Sequence, residues 1–187
     1  MPGKTVSLII MFILIVAVGV VQAQVSITYS SGDIQHFTMN IVDEWRVNVG
    51  SEEDLSRITD DEKLPARLIS AMPNDGVPLW FGLWVPDDLV VIEDAEEYMK
   101  SLGLDLLTDL LVTDRKLDTL NGMEVYYISG TGKKESETMD FRTVFFQLTP
   151  ESVAIAIYIG PPETTSSHGT DLVQMTQSLR PVKQETK

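Results

Sequence analysis

Hydrophobic and polar positions alternate along much of the chain, which is the pattern of half-buried β-strands. The first alternating run contains Phe37, Met39 and Ile41, and a second begins at Trp45 after a turn at Asp43. These two runs are expected to form a hairpin. Similar runs predict further strands over residues 66–72, 79–85, 117–120, 123–127, 141–148 and 153–159.

Two segments have the spacing of an amphipathic helix. Asp94 and Glu97 have the arrangement of a capping box, which places the start of a helix at Asp94. One side of this helix is apolar, because hydrophobic residues recur at Tyr98, Met99, Leu102, Leu106 and Leu110. Gly103 interrupts the pattern, so the prediction covers the N-terminal half of the helix. A closing helix is expected over residues 170–179.

Strands joined by tight turns, with one helix inserted and one at the end, predict an α+β fold in which helices pack on the faces of an antiparallel β-sheet. The runs at 79–85 and 153–159 are apolar on both faces, so helices are expected on both sides of the sheet. Residues 34–182 then form one domain, preceded by a short leader over 24–33 and followed by a polar tail over 183–187. The polar segment 50–63 is expected to be a long loop or a short irregular helix, and the polar segment 130–138 a loop.

The first 23 residues have the pattern of a secretory signal peptide. Lys4 precedes an apolar run over residues 6–21, and Ala23 completes a small-residue cleavage site. An uncleaved anchor is the alternative, although the run is shorter than the ~20 residues of a spanning helix. The protein is therefore expected to be exported to the periplasm or beyond, without stable membrane insertion after cleavage.

The composition is strongly acidic. The 187 residues include 28 Asp and Glu against 14 Lys and Arg, and the net charge of −14 becomes −15 without residues 1–23. Residues 43–109 hold 17 of the acids and five bases. This excess argues against nucleic acid as a partner, because phosphate neutralisation requires clustered cations. The absence of cysteine excludes disulfides, thiol nucleophiles and cysteine zinc sites.

Two tryptophans and two pairs of acids are the candidates for contact with a partner. Trp80 and Trp84 share one face of a predicted strand with Gly82 between them, which would leave an aromatic-edged groove. Core packing beneath the first helix explains the same pattern. The acid pairs could form a docking face for a basic partner or only a solvated surface. The candidate residues are Trp80, Trp84, Asp60, Asp61, Asp87 and Asp88.

The sequence contains no recognisable catalytic or metal-binding motif, and neither a metal nor a cofactor is expected. His36 beside a strand is interpreted as structural and His168 as a solvated loop residue, because neither has the spacing of a metal ligand. Acid–base catalysis would require distant carboxyl groups to converge on a cleft. Three roles stay open: a binding module, a carboxylate-dependent envelope enzyme acting on a small molecule or glycan, and a purely structural or stress-related envelope protein.

Three short segments resemble PsbP-like domains. The run from Phe37 to Trp45 is similar to their opening strand and turn, residues 120–126 (LNGMEVY) to their central hairpin, and residues 178–182 (SLRPV) to their closing segment. Val42 stands where the family usually has Pro, and Leu179 where it usually has Phe. The superfamily includes bacterial periplasmic domains of the DcrB type. The resemblance implies an α+β fold and a non-enzymatic role with an unidentified protein partner.

Overall fold

The computed structural model describes residues 24–50 and 68–183. The strands in these ranges are β1 (Gln24–Ser31), β2 (Ile34–Val42), β3 (Trp45–Val49), β4 (Ile69–Pro73), β5 (Trp80–Trp84), β6 (Thr108–Leu120), β7 (Met123–Lys134), β8 (Glu137–Thr149), β9 (Ser152–Gly160) and β10 (Arg180–Pro181). The helices are α1 (Ala95–Leu106), α2 (Pro162–Ser167) and α3 (Gly169–Ser178), and a 3-10 turn over Ile92–Asp94 leads into α1.

The described strands form two antiparallel sheets. Seven strands form the larger sheet in the order β3-β4-β5-β9-β8-β7-β6, and the smaller sheet has the order β1-β2-β10. The predicted α+β fold is confirmed, but the predicted single sheet is wrong, because the strands divide between two sheets. Strands β5 and β9 lie inside the larger sheet and are almost entirely buried, as their continuous apolar sequences indicated.

Side chains of the larger sheet point alternately to two faces, and a helix covers each. Trp84, Ile155 and Phe145 are register partners on the face beneath α1, which we call the α1 face. There the Thr143 hydroxyl donates to the Met99 sulfur of α1 at 3.3 Å. Val144 lies on the opposite face, the α3 face, where it lines a cavity together with Leu172 and Val173 of α3. The prediction that helices cover both faces is confirmed.

Two expectations for the start of the chain are wrong. Residues 24–33 do not form a leader, because β1 pairs with β2 and buries Tyr29, whose ring stacks on Phe37 with centroids 5.1 Å apart. Strands β2 and β3 do not form a hairpin either. The turn at Asp43 carries the chain from one sheet to the other, so β2 pairs with β1 and β10 whereas β3 pairs with β4.

Three later boundaries also differ from the expectations. Residues 130–138 form the closed end of the β7–β8 hairpin rather than a loop, with Glu135 in the left-handed region at φ 59°. Asp94 is not the helix cap, because the 3-10 turn begins the helical backbone earlier and leaves Val91 in the cap position. Helix α1 continues through Gly103, and Leu110 belongs to β6.

Several expectations concern residues outside the described ranges. These are the signal peptide over 1–23, residues 51–63 of the predicted acidic loop, and residues 184–187 of the tail. Across 24–50 and 68–183, none of the helices combines the length and hydrophobicity that crossing a membrane requires.

Candidate functional site

A cavity of about 490 Å³ opens on the α1 face beyond the C-terminal end of α1. Among the described residues that line it, seven are apolar and one is a lysine. The lining residues are Met72, Pro78, Leu79, Trp80, Leu106, Lys134, Met139 and Ile159. Partly enclosed, predominantly apolar cavities of this size are typical of binding sites.

Strand register brings the cavity walls together. Trp80 begins β5 and is the register partner of Ile159 near the end of β9. On β4, Ala71 is the register partner of Phe81 on β5, so these two side chains point to one face. Met72 is the neighbour of Ala71 and Trp80 the neighbour of Phe81, so both point to the other face. Helix α1 ends at Leu106, and no other helix of residues 24–50 and 68–183 lines the cavity.

Trp80 is the principal side chain of this cavity. Its ring folds over the neighbouring glycine, since a Cβ atom at Gly82 would lie 2.2 Å from Cη2 of Trp80. The ring is partly exposed, so an entering group could contact it. Lys134 lines the cavity from an exposed position and forms no ion pair with another described residue.

Trp84 lies in the core and not in the cavity. Only 3% of its surface is exposed, and its indole N–H donates to the hydroxyl of Tyr98 on α1 at 3.3 Å. Burial raises the pKa of Tyr98. The predicted groove edged by both tryptophans does not form, because α1 covers the Trp84 end of β5 and stops short of the Trp80 end. Core packing, the alternative that the sequence left open, therefore applies to Trp84.

The acid pairs lie apart from the cavity. Asp87 and Asp88 are exposed in the segment that follows β5, at the Trp84 end of that strand. The structure therefore does not bring them to Trp80, and their contact with a partner stays a prediction. Asp60 and Asp61 lie outside the described residues.

The expectation that His168 is a solvated loop residue is wrong. It connects α2 to α3, and 16% of its side chain is exposed. Its Nδ1 atom lies 3.2 Å from Oδ2 of Asp171, and its Nε2 atom lies 3.1 Å from Oδ2 of Asp75. Trp45 packs edge-on against the imidazole ring. Sequence spacing could not reveal this cluster, because its members come from three distant segments.

The described residues contain no group of three His, Asp or Glu side chains suited to hold a metal ion. The contacts of His168 join three segments of the chain. His36 is likewise held in place, because its Nε2 atom lies 2.6 Å from the hydroxyl of Ser31. Burial lowers the pKa of His36, and the negative charge of Asp87 opposes this effect.

No family model matches the chain, and no curated protein matches it. Its structure is similar to that of cyanobacterial PsbP (CyanoP) from Synechocystis sp. PCC 6803, with a TM-score of 0.60, 6% identity, and coverage of 89% of this chain and 96% of CyanoP. For LpqN of Mycobacterium tuberculosis, described as involved in cell envelope biogenesis, the TM-score is 0.55 at 15% identity, with coverage of 86% and 92%.

A third solved structure is PA94 from Pseudomonas aeruginosa, a protein of unknown function. Its TM-score is 0.50 at 17% identity, with coverage of 85% of this chain and 99% of PA94. At these identities the likeness concerns the fold. The chain therefore has a PsbP-like fold, as its three short segments indicated.

Proposed function

We propose that this protein is an exported, non-catalytic binding or accessory protein of the cell envelope, and that the cavity around Trp80 holds an apolar group of a protein partner. The observation that carries this proposal is a partly exposed tryptophan in a cavity whose other lining residues are apolar except for Lys134. Tryptophans in such concave sites are typical anchors of protein interfaces.

Two further observations support the location and the type of partner. The signal-peptide pattern of residues 1–23 indicates export, and LpqN, which has a similar fold, is described as a protein of cell envelope biogenesis. The acidic excess favours a partner with a basic surface around the inserted apolar group, because complementary charge accelerates encounter.

The enzyme alternative has weaker support. Acid–base catalysis needs carboxyl groups that face a cleft holding the substrate. The described residues that line the cavity around Trp80 include no acid. Asp75 and Asp171 are distant in sequence and converge on His168, but neither lines this cavity. The arrangement therefore favours binding over catalysis.

Capture from an envelope extract tests the proposal with two matched substitutions. Met72→Glu places a charge in the cavity, whereas Val90→Glu makes the same kind of change at a comparably exposed residue that does not line it. We expect the immobilised protein of residues 24–187 to lose a specific partner by about tenfold or more with Met72→Glu and to retain it with Val90→Glu. Trp80→Ala should reproduce the loss.

Capture that is equal in Met72→Glu, Trp80→Ala and the native protein would contradict the proposed site. Thermal unfolding of each variant checks that loss of capture does not reflect loss of folding. A hydrolase screen on the same proteins tests the alternative that the protein is an enzyme. Turnover abolished by Asp171→Asn, with capture unchanged, would favour the enzyme.

A further inference from the structure

A second cavity, of about 150 Å³, lies between α3 and the α3 face of the larger sheet. It combines five polar or charged residues with a short apolar wall. The polar residues are Tyr127, Arg142, Tyr158, Thr176 and Gln177, and the wall consists of Val144, Leu172 and Val173. The cavity lies on the opposite face of the sheet from Trp80 and is separate from the site proposed above.

Strand register places one cation between two phenols. Arg142 on β8 is the register partner of Tyr158 on β9, and its Cζ atom lies 5.9 Å from the centroid of the Tyr158 ring. Tyr127 on β7 is the partner of Val144, two residues beyond Arg142, so its side chain points to the same face. Helix α3 closes the cavity with Thr176 and Gln177.

Arg142 forms no ion pair with a described carboxylate, although the chain has twice as many acids as bases. Two acids are close to this face. Asp118 pairs with Lys116, whereas Asp140 accepts a hydrogen bond from the neutral Thr165 hydroxyl at 3.0 Å, keeps its charge and forms no ion pair with Arg142. A guanidinium stays charged at any physiological pH. Because the Arg142 side chain is partly buried and has no described counter-ion, an anion that enters the cavity would be attracted to it.

The two phenols are suited to donate hydrogen bonds to that anion. Burial raises the pKa of both Tyr127 and Tyr158, while the charge of Arg142 partly opposes the shift. Both hydroxyls therefore carry their protons at neutral pH, and neither is hydrogen bonded to another described residue.

We propose that this cavity binds the carboxylate of a small organic monoanion, with Arg142 holding both oxygens and the tyrosine hydroxyls adding hydrogen bonds. A guanidinium matches the two oxygens of a carboxylate geometrically. Arg142 is the single cation among the described lining residues and matches one negative charge, and the acidic chain disfavours polyanions. The apolar wall suits a short hydrocarbon chain, and the cavity volume of about 150 Å³ excludes larger organic anions.

Titration with sodium butyrate, followed by two-dimensional NMR of the protein of residues 24–187, tests this proposal. We expect saturable shifts at residues around Arg142, with a dissociation constant on the order of 1 mM. Arg142→Lys keeps the charge but loses the planar fork, so it should bind about tenfold more weakly. Arg142→Met should abolish saturation, and Tyr158→Phe should weaken binding several-fold.

Lys116→Met is the matched control, because Lys116 lies opposite Tyr127 but is paired with Asp118. It should change the affinity by less than about twofold. The proposal is overturned if butyrate fails to saturate the native protein, if Arg142→Met binds as the native protein does, or if Lys116→Met loses as much affinity as Arg142→Met. Inorganic phosphate at equal ionic strength should bind more weakly, and tighter phosphate binding would contradict the carboxylate class. Should Arg142→Met fail to fold, Arg142→Lys and Tyr158→Phe decide the question.

Discussion

Asp171 is a single carboxylate that joins three segments of the chain. It accepts a hydrogen bond from the indole of Trp45 at 3.2 Å and lies 3.2 Å from His168, which also contacts Asp75. Trp45 is 4% exposed, so its N–H has little access to water if this acceptor is removed. A buried donor without an acceptor costs about 1–3 kcal/mol.

Asp171→Ala should therefore lower the free energy of unfolding by about 1–3 kcal/mol, measured by urea denaturation. Glu124→Ala is the matched control, because Glu124 is an exposed acid on β7. This control should change stability by less than about 0.5 kcal/mol. Equal effects of the two substitutions would show that the contacts of Asp171 do not stabilise the fold.

His36 provides a pH dependence with a defined sign. Burial lowers its pKa below the usual 6.5, so the unfolded chain takes up a proton at a higher pH than the folded protein does. The free energy of unfolding should therefore fall as the pH is lowered through 6.5 towards the lowered pKa, and the loss is complete below it.

Urea denaturation of the native protein and of His36→Gln between about pH 7.5 and pH 5 measures this contribution. The difference between the two profiles isolates His36, because the other titrating groups are common to both proteins. We expect the native protein to lose more stability than His36→Gln on acidification. Parallel profiles would contradict the prediction.

At the scale of elements, the close approach of β6 to β7 explains the glycine at position 130 of β7. A Cβ atom at Gly130 would lie 2.0 Å from the backbone oxygen of Leu111 on β6. The pairing of β6 with β7 shifts register on both sides of this contact. The strand β6 thus approaches β7 at a point where only glycine fits.

Gly130→Ala should destabilise the protein by about 1–3 kcal/mol, because β6 must move to accommodate the methyl group. Gly169→Ala is the control, since a Cβ atom there would meet no atom within 4 Å. It should be neutral or slightly stabilising. Thermal unfolding of both variants compares them, and equal midpoints would refute the close approach of β6 to β7.

At the scale of the whole molecule, the excess of acidic over basic residues should affect stability. The ion pairs of Arg or Lys with acids that the described residues form are exposed and contribute little stability. The chain carries 28 acids and 14 bases, so a net charge of −14 remains. Repulsion among the remaining acids opposes the compact state, and salt screens it.

The urea midpoint of the protein of residues 24–187 at pH 8 should therefore rise between about 10 mM and about 150 mM NaCl, as the screening length falls from about 30 Å to about 8 Å. Asp87→Asn combined with Asp88→Asn removes two charges and should reduce this increase. A midpoint that falls with salt would contradict net self-repulsion.

Prediction from sequence succeeded where the pattern of a segment directly reports burial. Strands β5 and β9 were predicted because their residues are apolar on both faces. The sequence pattern does not predict β1, because Tyr29 is its one fully buried residue and a single buried position shows no alternation. Helix α2 was missed because its sequence, PETTSS, contains no apolar residue.

For the candidate sites too, the sequence predicts the local arrangement but not the long-range packing. The alternation along β5 already placed Trp80 and Trp84 on one face, because successive side chains of a strand point to opposite sides. It could not show that α1 covers one and leaves the other beside a cavity, since that depends on where a helix from another part of the chain ends.

The sequence by itself determined the α+β fold class, the acidic character and the expectation of export. These follow from local periodicity, composition and the pattern of the first 23 residues. Only the tertiary structure decided that β1 belongs to a second sheet, that His168 contacts Asp75, and that Arg142 lies between two tyrosines. His168 and Asp75 are 93 residues apart in the chain, and local patterns carry no information about which distant segments meet. The other two depend on how strands pair and on where α3 packs, which alternation within a single strand does not specify.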